Sequence, residues 1–526
     1  MRTIVSRMSL ITAVVAVFGT PASVFAQAAG SQQLAAGAPQ VRRLTADEAV
    51  ALALENNLGI RIARVDPQIE DLNLVGARSG WSPSFSSTFQ SNSSNSPNQN
   101  FLAGAQGTTT TSDQFSNSVG IQQTLRWGGS YDVGWDSSRV TSNSSFSTFS
   151  PQVRSSLSLS YTQPLLRNFS IDSTRQQVQL SSKNREIADV SLRETIATTT
   201  RTVRNAYWDL AYAITSLSVQ RQSLDLAQES LRNTRARVEI GTTPPIDIVE
   251  AESEVALRQE AVIVAEALIG TTEDTLRTLV FDPSMPDFWT IRIEPSDLPP
   301  FQPSVINVET AVRTALDRRT DLTRSRKSLE ADDINLTFYR NQTLPDVSAS
   351  FNYGLQGLGG TQLVRGFGPF GPGTGEVTGQ SQRSFGAVLG DLFTNDYPNW
   401  TASLNVSYPL GTSSAEANLA RSRLQHTQAQ TQLQNQELQV AREVRQAARQ
   451  VQTNQQRVES SRSARQLAER RLEAEQRKFE AGTSTSFLVF QAQRDLAQAR
   501  NNELQNVLGY NRSIVDLETV QDVPLR

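Results

Sequence analysis

A helical hairpin is written into this chain twice. Val203, Leu210, Leu217, Leu224, Leu231 and Val238 recur at seven-residue spacing. A glycine turn follows at Gly241-Thr242, and Ile248, Val255, Val262, Ile269 and Leu276 keep the spacing on the return limb. An offset of 241 residues (Gly241 to Gly482) gives the second copy: Val444, Val451, Val458, Leu472 and Phe479, the turn Gly482-Thr483, then Val489, Leu496, Tyr510 and Leu517. Only Arg465 and Glu503 break this series. A sustained seven-residue repeat specifies helices packed along a narrow seam, and a duplicated hairpin of this length has no place inside a compact domain.

No proline or glycine occurs from Asp172 to Glu239, which predicts one helix of roughly 100 Å at 1.5 Å per residue. The alternate heptad positions are mostly small: Ala206, Ala213 and Ala227, with Gln220 and Thr234. Most of the remaining circumference is Arg, Gln, Ser and Glu. A tube of helices wet on both sides satisfies this pattern, and so does a free coiled coil.

The duplication extends upstream. Leu44-Thr45-Ala46-Asp47-Glu48-Ala49-Val50 corresponds to Ile306-Asn307-Val308-Glu309-Thr310-Ala311-Val312, and the same offset takes Pro83 to Pro345. Each copy begins with a helix that stops before a proline, a residue that disfavours helix in its predecessor. The expected organisation is a first repeat over 44–281, a connector over 282–305 that packs around the outside of the helices, a second repeat over 306–520 and a tail over 521–526.

Beyond each proline the period becomes two. Leu157, Leu159 and Tyr161 alternate with serines, as do Val347, Ala349, Phe351 and Tyr353 with small polar residues. Trp400, Ala402, Leu404, Val406 and Tyr408 form the cleanest series. These are strands with one apolar and one small, uncharged polar face. Trp400 and Tyr408 lie about 27 Å apart along such a strand, close to the roughly 25 Å apolar band that aromatic girdles flank in outer-membrane barrels. Tyr161 and Tyr353 are further candidate interface aromatics. Long polar segments, Asn92 to Ser118 and the glycine-rich Gly354 to Gln382 with Phe367 and Phe370, read as loops. Val119–Trp127 and Tyr131–Ser137 can pair through Gly128-Gly129, a favourable hairpin turn, with its place in the wall left open.

Arg2 and Arg7 precede an apolar run from Leu10 to Phe18, and Val24-Phe25-Ala26 supplies a small-residue cleavage site. Residues 1–26 therefore read as a secretory signal peptide, followed by a flexible segment over 27–43. The chain has no Cys, hence no disulfide framework and no lipid-acceptor thiol. No later run reaches the roughly 18 apolar residues of a membrane-crossing helix, so membrane attachment has to come from the fold. A formal charge of -3 carries no nucleic-acid footprint.

No catalytic constellation is visible. His426 is the only histidine, it reads as an exposed or lumen-facing residue, and no P-loop, dinucleotide fingerprint or nucleophile elbow occurs. No metal or cofactor is expected. Asp247 and Glu250 share a helical face just beyond the first tip. They complement the helix dipole at a cost-free position, or they form a charged ring once copies associate. The two tips differ: the first holds Pro244-Pro245 and these acids, the second is Ser/Thr-rich and runs into Phe487-Leu488, which marks this asymmetry as the candidate gate.

The arrangement resembles the TolC-like outer-membrane efflux protein family over essentially the whole mature chain. The resemblance is carried by the paired entries (Leu44 to Pro83, Ile306 to Pro345), the strand exits Gln163-Pro164-Leu165 and Tyr408-Pro409-Leu410, and the paired tips Arg237-x3-Gly241-x5-Asp247 and Lys478-x3-Gly482-x5-Leu488. It implies a mainly α fold with a transmembrane β-barrel portion, in which long helical hairpins form a periplasmic α-barrel and about four strands per chain enter a trimeric outer-membrane β-barrel, twelve strands from three copies. It also implies a homotrimer among outer-membrane lipids, a passive exit duct for efflux or type I secretion, and tips (Arg237, Gly241, Thr242, Lys478, Gly482, Thr483) that dock a periplasmic adaptor and through it an inner-membrane transporter. Some members carry acids at the positions of Leu488 and Gln491, which implies here a constriction of apolar and amide side chains, less cation-selective than an acidic ring. A periplasmic adaptor, the competing class, needs one hairpin and no girdled strands; an outer-membrane enzyme needs a nucleophile–base pair.

Overall fold

The computed structural model describes residues 41–98, 108–144, 146–297, 301–303, 305–368 and 371–522. The expected leader, most of the 27–43 segment, Phe370 and the last four residues lie outside the described residues. The first repeat runs through β1 (Val41–Leu44), α1 (Ala46–Asn56), α2 (Leu58–Ala63), α3 (Asp66–Ser79), β2 (Ser84–Pro97), β3 (Thr109–Thr124), β4 (Ser130–Ser142), β5 (Phe149–Pro164), α4 (Ser173–Glu239) and α5 (Ile246–Val280). After β6 (Arg292–Pro295) come α6 (Val308–Arg318), α7 (Thr320–Gln342), β7 (Asp346–Gly368), β8 (Gly371–Arg383), α8 (Phe385–Thr394), β9 (Pro398–Ser407), α9 (Ser414–Glu480) and α10 (Ser486–Val520).

The two hairpins are matched in length: α4 and α9 have 67 residues each, α5 and α10 have 35. Both long helices start on a capped turn, with Asp172 accepting from the Arg175 amide and Ser413 from the Glu416 amide. The entry helices are capped likewise, Thr45 with Glu48 in a capping box and Asn307 by its side chain.

Small heptad residues let the helices approach closely. Ala206, Ala213, Ala227 and Thr234 are buried together with Val203 and Leu210. In the second copy the seam is larger: Val444, Val451, Val458, Leu472, Val489, Leu496, Tyr510 and Leu517 are all buried, and Phe479 is half-buried. The two residues that interrupt the second series face each other across its hairpin. Arg465 is ion-paired with Glu503 and also holds Glu469 at 2.9 Å. Arg462 stands 3.6 Å from the same Glu503.

The helices form two storeys of four. Nearer the sheet the neighbours run α3–α4–α7–α9; toward the tips they run α5–α4–α10–α9. The two copies are joined in the upper storey by a pseudo-symmetric tetrad built from two of the chain's three lysines. Lys183 lies 3.1 Å from Glu186 and 2.8 Å from Glu330; Lys327 lies 2.8 Å from Glu186 and 3.2 Å from Glu330. The hydrogen bond from Lys327 holds Glu186 below the usual carboxylate range, and the bond from Lys183 does the same for Glu330. Both lysines are raised in return, Lys183 chiefly by Glu330 and Lys327 chiefly by Glu186.

The segment joining the copies packs on the helices. Phe281, Phe288, Ile291 and Ile293 are buried against α1, α4 and α5, and Phe301 meets Tyr510 edge-on at 5.2 Å. β6 pairs in parallel with β1, so residues 41–43, read as flexible from the sequence, are strand.

Seven strands make one antiparallel sheet in the order β2-β3-β4-β5-β7-β8, with β9 on the free edge of β7 below β8. The alternating series read around Leu159, Phe351 and Leu404 are β5, β7 and β9. Two adjacent rows cross the sheet from β9 to β2 with one chemistry each. Trp400, Tyr353, Leu159, Val133, Ile121 and Phe85 form an apolar row; Asn399, Gly354, Ser158, Gly134, Gly120 and Ser86 form the adjacent polar one. The polar segments read as loops are strand over most of their length: 92–97 continues β2, 109–118 opens β3, and the glycine-rich stretch forms the far half of β7 and β8. They lie beyond the apolar rows at the end away from the long helices: the serine-rich parts of β2 and β3 have little apolar contrast, and Gly357 and Gly359 of β7 leave room for Val388 of α8, which is fully buried.

Two predictions follow the ion pairs. Arg465→Leu or Glu503→Leu alone leaves a half-buried charge without its partner and costs about 1–3 kcal/mol, read as a lower melting temperature of the detergent-purified protein. The double variant R465L/E503L completes the heptad and melts at or above wild type, since apolar residues replace a buried pair without loss; additive losses would contradict this. The tetrad contributes at neutral pH. Its depressed carboxyls lose their contribution as pH falls through their folded pKa, and its raised lysines lose theirs as pH rises through their own. E186Q/E330Q therefore flattens the acid limb of melting temperature against pH, by less than about 1 kcal/mol because the groups are wetted; an unchanged acid limb would contradict it.

Candidate functional site

The tips are built alike. Just past the C-cap of each long helix stands a left-handed glycine, Gly241 (φ 78°) after α4 and Gly482 (φ 75°) after α9, where glycine avoids the Cβ penalty. The Thr242 amide bonds to the Arg237 carbonyl at 2.9 Å and the Gly241 amide to Val238 at 3.0 Å. Thr483 and Gly482 repeat this with Lys478 at 2.9 Å and Phe479 at 3.1 Å. This is the Schellman C-cap. Each threonine hydroxyl donates to the same carbonyl, at 2.9 Å from Thr242 and 3.1 Å from Thr483. The six residues named for docking thus form two copies of one rigid turn. On the second, Glu475 accepts from Lys478 and Ser484, both at 2.8 Å, which holds its carboxyl below the usual range.

Cross-links between the tips are all side-chain contacts. The Ser486 hydroxyl donates to Asp247 at 2.8 Å, so this acid caps nothing on its own helix and ties the first tip to the second. Arg237 lies over the Phe479 ring at 4.3 Å. About two turns higher, buried Glu254 pairs with Arg258 at 2.7 Å and with Arg494 of the other hairpin at 3.1 Å. Arg494 also donates to Gln491 at 3.0 Å and covers Phe487 at 5.9 Å. Gln491 in turn donates to Asp495 at 2.9 Å. Glu250 is half-exposed and has no hydrogen bond or ion pair among the described residues. Phe487 and Leu488 are exposed, as are Ile240, Ile246 and Val249 at the first tip. Ser486, Glu254 and Arg494 were not singled out from the sequence, because a serine after a turn and charges within a polar helix carry no spacing signal.

At the sheet, Trp400 is paired in register with Tyr353, and Trp400 and Tyr408 are both exposed. Tyr353 donates to Asn395 at 2.6 Å. Tyr161, near the helical end of β5, donates to Gln163 at 2.7 Å and accepts from exposed Trp127 at 3.3 Å. His426 is half-buried against α7, with Nε2 2.8 Å from Asp333. Among the described residues no group of three or more His, Asp or Glu is placed to hold a metal ion, and no helix is long and apolar enough to cross a membrane.

Several solved outer-membrane channels share this architecture. CusC, whose structures follow transmembrane channel formation, superposes with a TM-score of 0.64 at 13% identity, covering 91% of this chain and 92% of its own. The Campylobacter jejuni CmeC outer membrane channel gives 0.62 at 15% identity, with 90% and 85% covered. The open state of the Neisseria gonorrhoeae MtrE outer membrane channel gives 0.60 at 15% identity, with 91% and 89% covered. These identities speak for the fold alone. No curated protein matches the chain. The outer membrane efflux protein family matches residues 126–280 and 311–520, more than half of the sequence. The chain belongs to the outer membrane efflux protein family, channels of the outer membrane with a large periplasmic helical portion.

Proposed function

We propose that this chain is the passive exit duct of a tripartite efflux or type I secretion system, working as a homotrimer that spans the outer membrane and the periplasm. The observation that carries the reading is a pair of unlike open edges. On one side α3 presents Ile69, Leu72 and Val75 and α5 presents Val249, Leu257 and Val264, all exposed. On the other, α9 presents Leu424, Leu438 and Leu467, also exposed and close to heptad spacing. The sheet ends equally open, with β2 on one side and β9 on the other. Unlike edges associate head to tail, and such contacts close into a ring when the rotation allows. Three copies, the number the family resemblance implies, give each storey twelve helices around a common lumen.

The division into repeats at 44–281 and 306–520, joined by 282–305, fits this scheme as two wall segments of one protomer. The tips Arg237-Gly241-Thr242 and Lys478-Gly482-Thr483 point away from the sheet as paired rigid knobs for a periplasmic adaptor, which couples the duct to an inner-membrane transporter. Energy enters there, since the chain has no nucleotide-binding motif. The constriction is formed by Asp247, Glu250, Phe487, Leu488 and Gln491. Asp247–Ser486 and Glu254–Arg494 hold the two hairpins of a protomer together in the closed form, and opening separates them.

In planar bilayers, D247A and R494A raise single-channel conductance severalfold over wild type. A D247C/S486C pair in this Cys-free chain stays at the wild-type level while joined by a short reducible thiol cross-linker, and rises to the D247A level once reduced. Conductance unaffected by either alanine would contradict the gate; absence of any channel from the purified protein would contradict the duct.

A further inference from the structure

The β3–β4 hairpin is not needed to connect the helices to the sheet, since β2 and β5 already do so. It is nevertheless built as wall. β3 pairs with β2 over the whole of β2, Ser84 to Pro97, and β4 pairs with β5 from Ser130 to Val140, so the hairpin is flush with its neighbours. Its residues continue both faces: Val119, Ile121, Val133 and Trp135 stand in the apolar rows, while Ser118, Gly120, Asp132 and Gly134 stand in the polar ones.

Its turn is seated on the helical collar. The Leu125 amide bonds to the Gly129 carbonyl at 2.7 Å and the Gly128 amide to Leu125 at 2.9 Å. Gln123 donates to the Trp81 carbonyl at 2.7 Å, at the end of α3. Arg126 lies 5.7 Å over the Trp81 ring. Gly128 has φ 93°, and a Cβ there would stand 2.7 Å from the Arg175 guanidinium and 2.9 Å from the Asn168 carbonyl, at the start of α4. A strand pair outside the wall would need neither the register nor the seat.

We propose that this hairpin sets the bore of the outer-membrane barrel, each protomer supplying six full wall strands (β2, β3, β4, β5, β7 and β9) and the trimer eighteen. The inference rests on the trimeric duct above. With strands about 4.8 Å apart and tilted by about 40°, twelve strands enclose a backbone cylinder about 24 Å across and eighteen one about 36 Å across. A ring of twelve helices at roughly 9–10 Å spacing is about 35–38 Å across. The eighteen-stranded wall therefore continues the helical tunnel without a narrowing at the membrane. Size selection falls to the tips, and the barrel admits cargo as wide as the tunnel itself.

The test is spin labelling of single cysteines in the lipid-reconstituted full chain. V119C and V133C, on the apolar face of the hairpin, are expected to show an oxygen-to-nickel-chelate accessibility ratio severalfold above that of S118C and D132C on the polar face. L404C and V406C on β9 report the wall independently. Lipid exposure at these two with all four hairpin sites open to the aqueous chelate would overturn the proposal and leave a twelve-stranded duct. Aqueous exposure at L404C and V406C as well would overturn the barrel reading itself, and the wider wall with it. Electron-microscopic end views of the purified protein add a count: eighteen strands support the proposal, and twelve with a hairpin outside the ring refute it.

Discussion

The structure depends on the close antiparallel packing of a 67-residue helix against a 35-residue one, made twice with the same lengths. Small residues on the seam of the first hairpin and β-branched residues on that of the second bring the backbones together without filling the surrounding circumference. Because the apolar stripe is narrow, each helix can be covered on two sides by neighbours and still meet water on the others. That property makes a one-helix-thick wall possible, and a wall with two unlike open edges has no stable end until it closes on copies of itself.

The sheet solves the same problem with period two. An apolar row six strands wide, Phe85 through Trp400, lies beside a row of serine, glycine and asparagine. One face can meet hydrocarbon while the other meets water, and pairing satisfies the backbone groups between the open edges, β2 on one side and β8 and β9 on the other. In the proposed trimer, closure of the helical wall and closure of the sheet are one event. The tetrad of Lys183, Glu186, Lys327 and Glu330 fixes the two copies to one another just below the sheet, so that one angle between them serves both storeys.

Much of this was legible in the sequence because the signals are periodic. The heptads located the seams, Asp172 located the start of α4, and Gly241 and Gly482 located turns that need positive φ. What escaped was information carried by pairs. Arg465 and Glu503 looked like two separate interruptions and are the two halves of one contact. Asp247 read equally as a helix-dipole acid or as part of a ring, and its partner Ser486 lies 239 residues away. Strand length was underestimated where both faces are polar, since serine-rich alternation has no contrast. The β3–β4 hairpin could be recognised from Gly128-Gly129, but its place in the sheet is a matter of register between distant segments.

The account stands or falls on ring closure by the open edges of α3, α5 and α9 and of β2 and β9. The most direct measurement is native mass spectrometry of the protein extracted from membranes in mild detergent, with L438E on the α9 edge as the paired variant. The account predicts a single assembly of three chains for wild type and its dissociation for the variant, with helix content unchanged in both. A stable single chain, or a trimer indifferent to a charge on that edge, would contradict it.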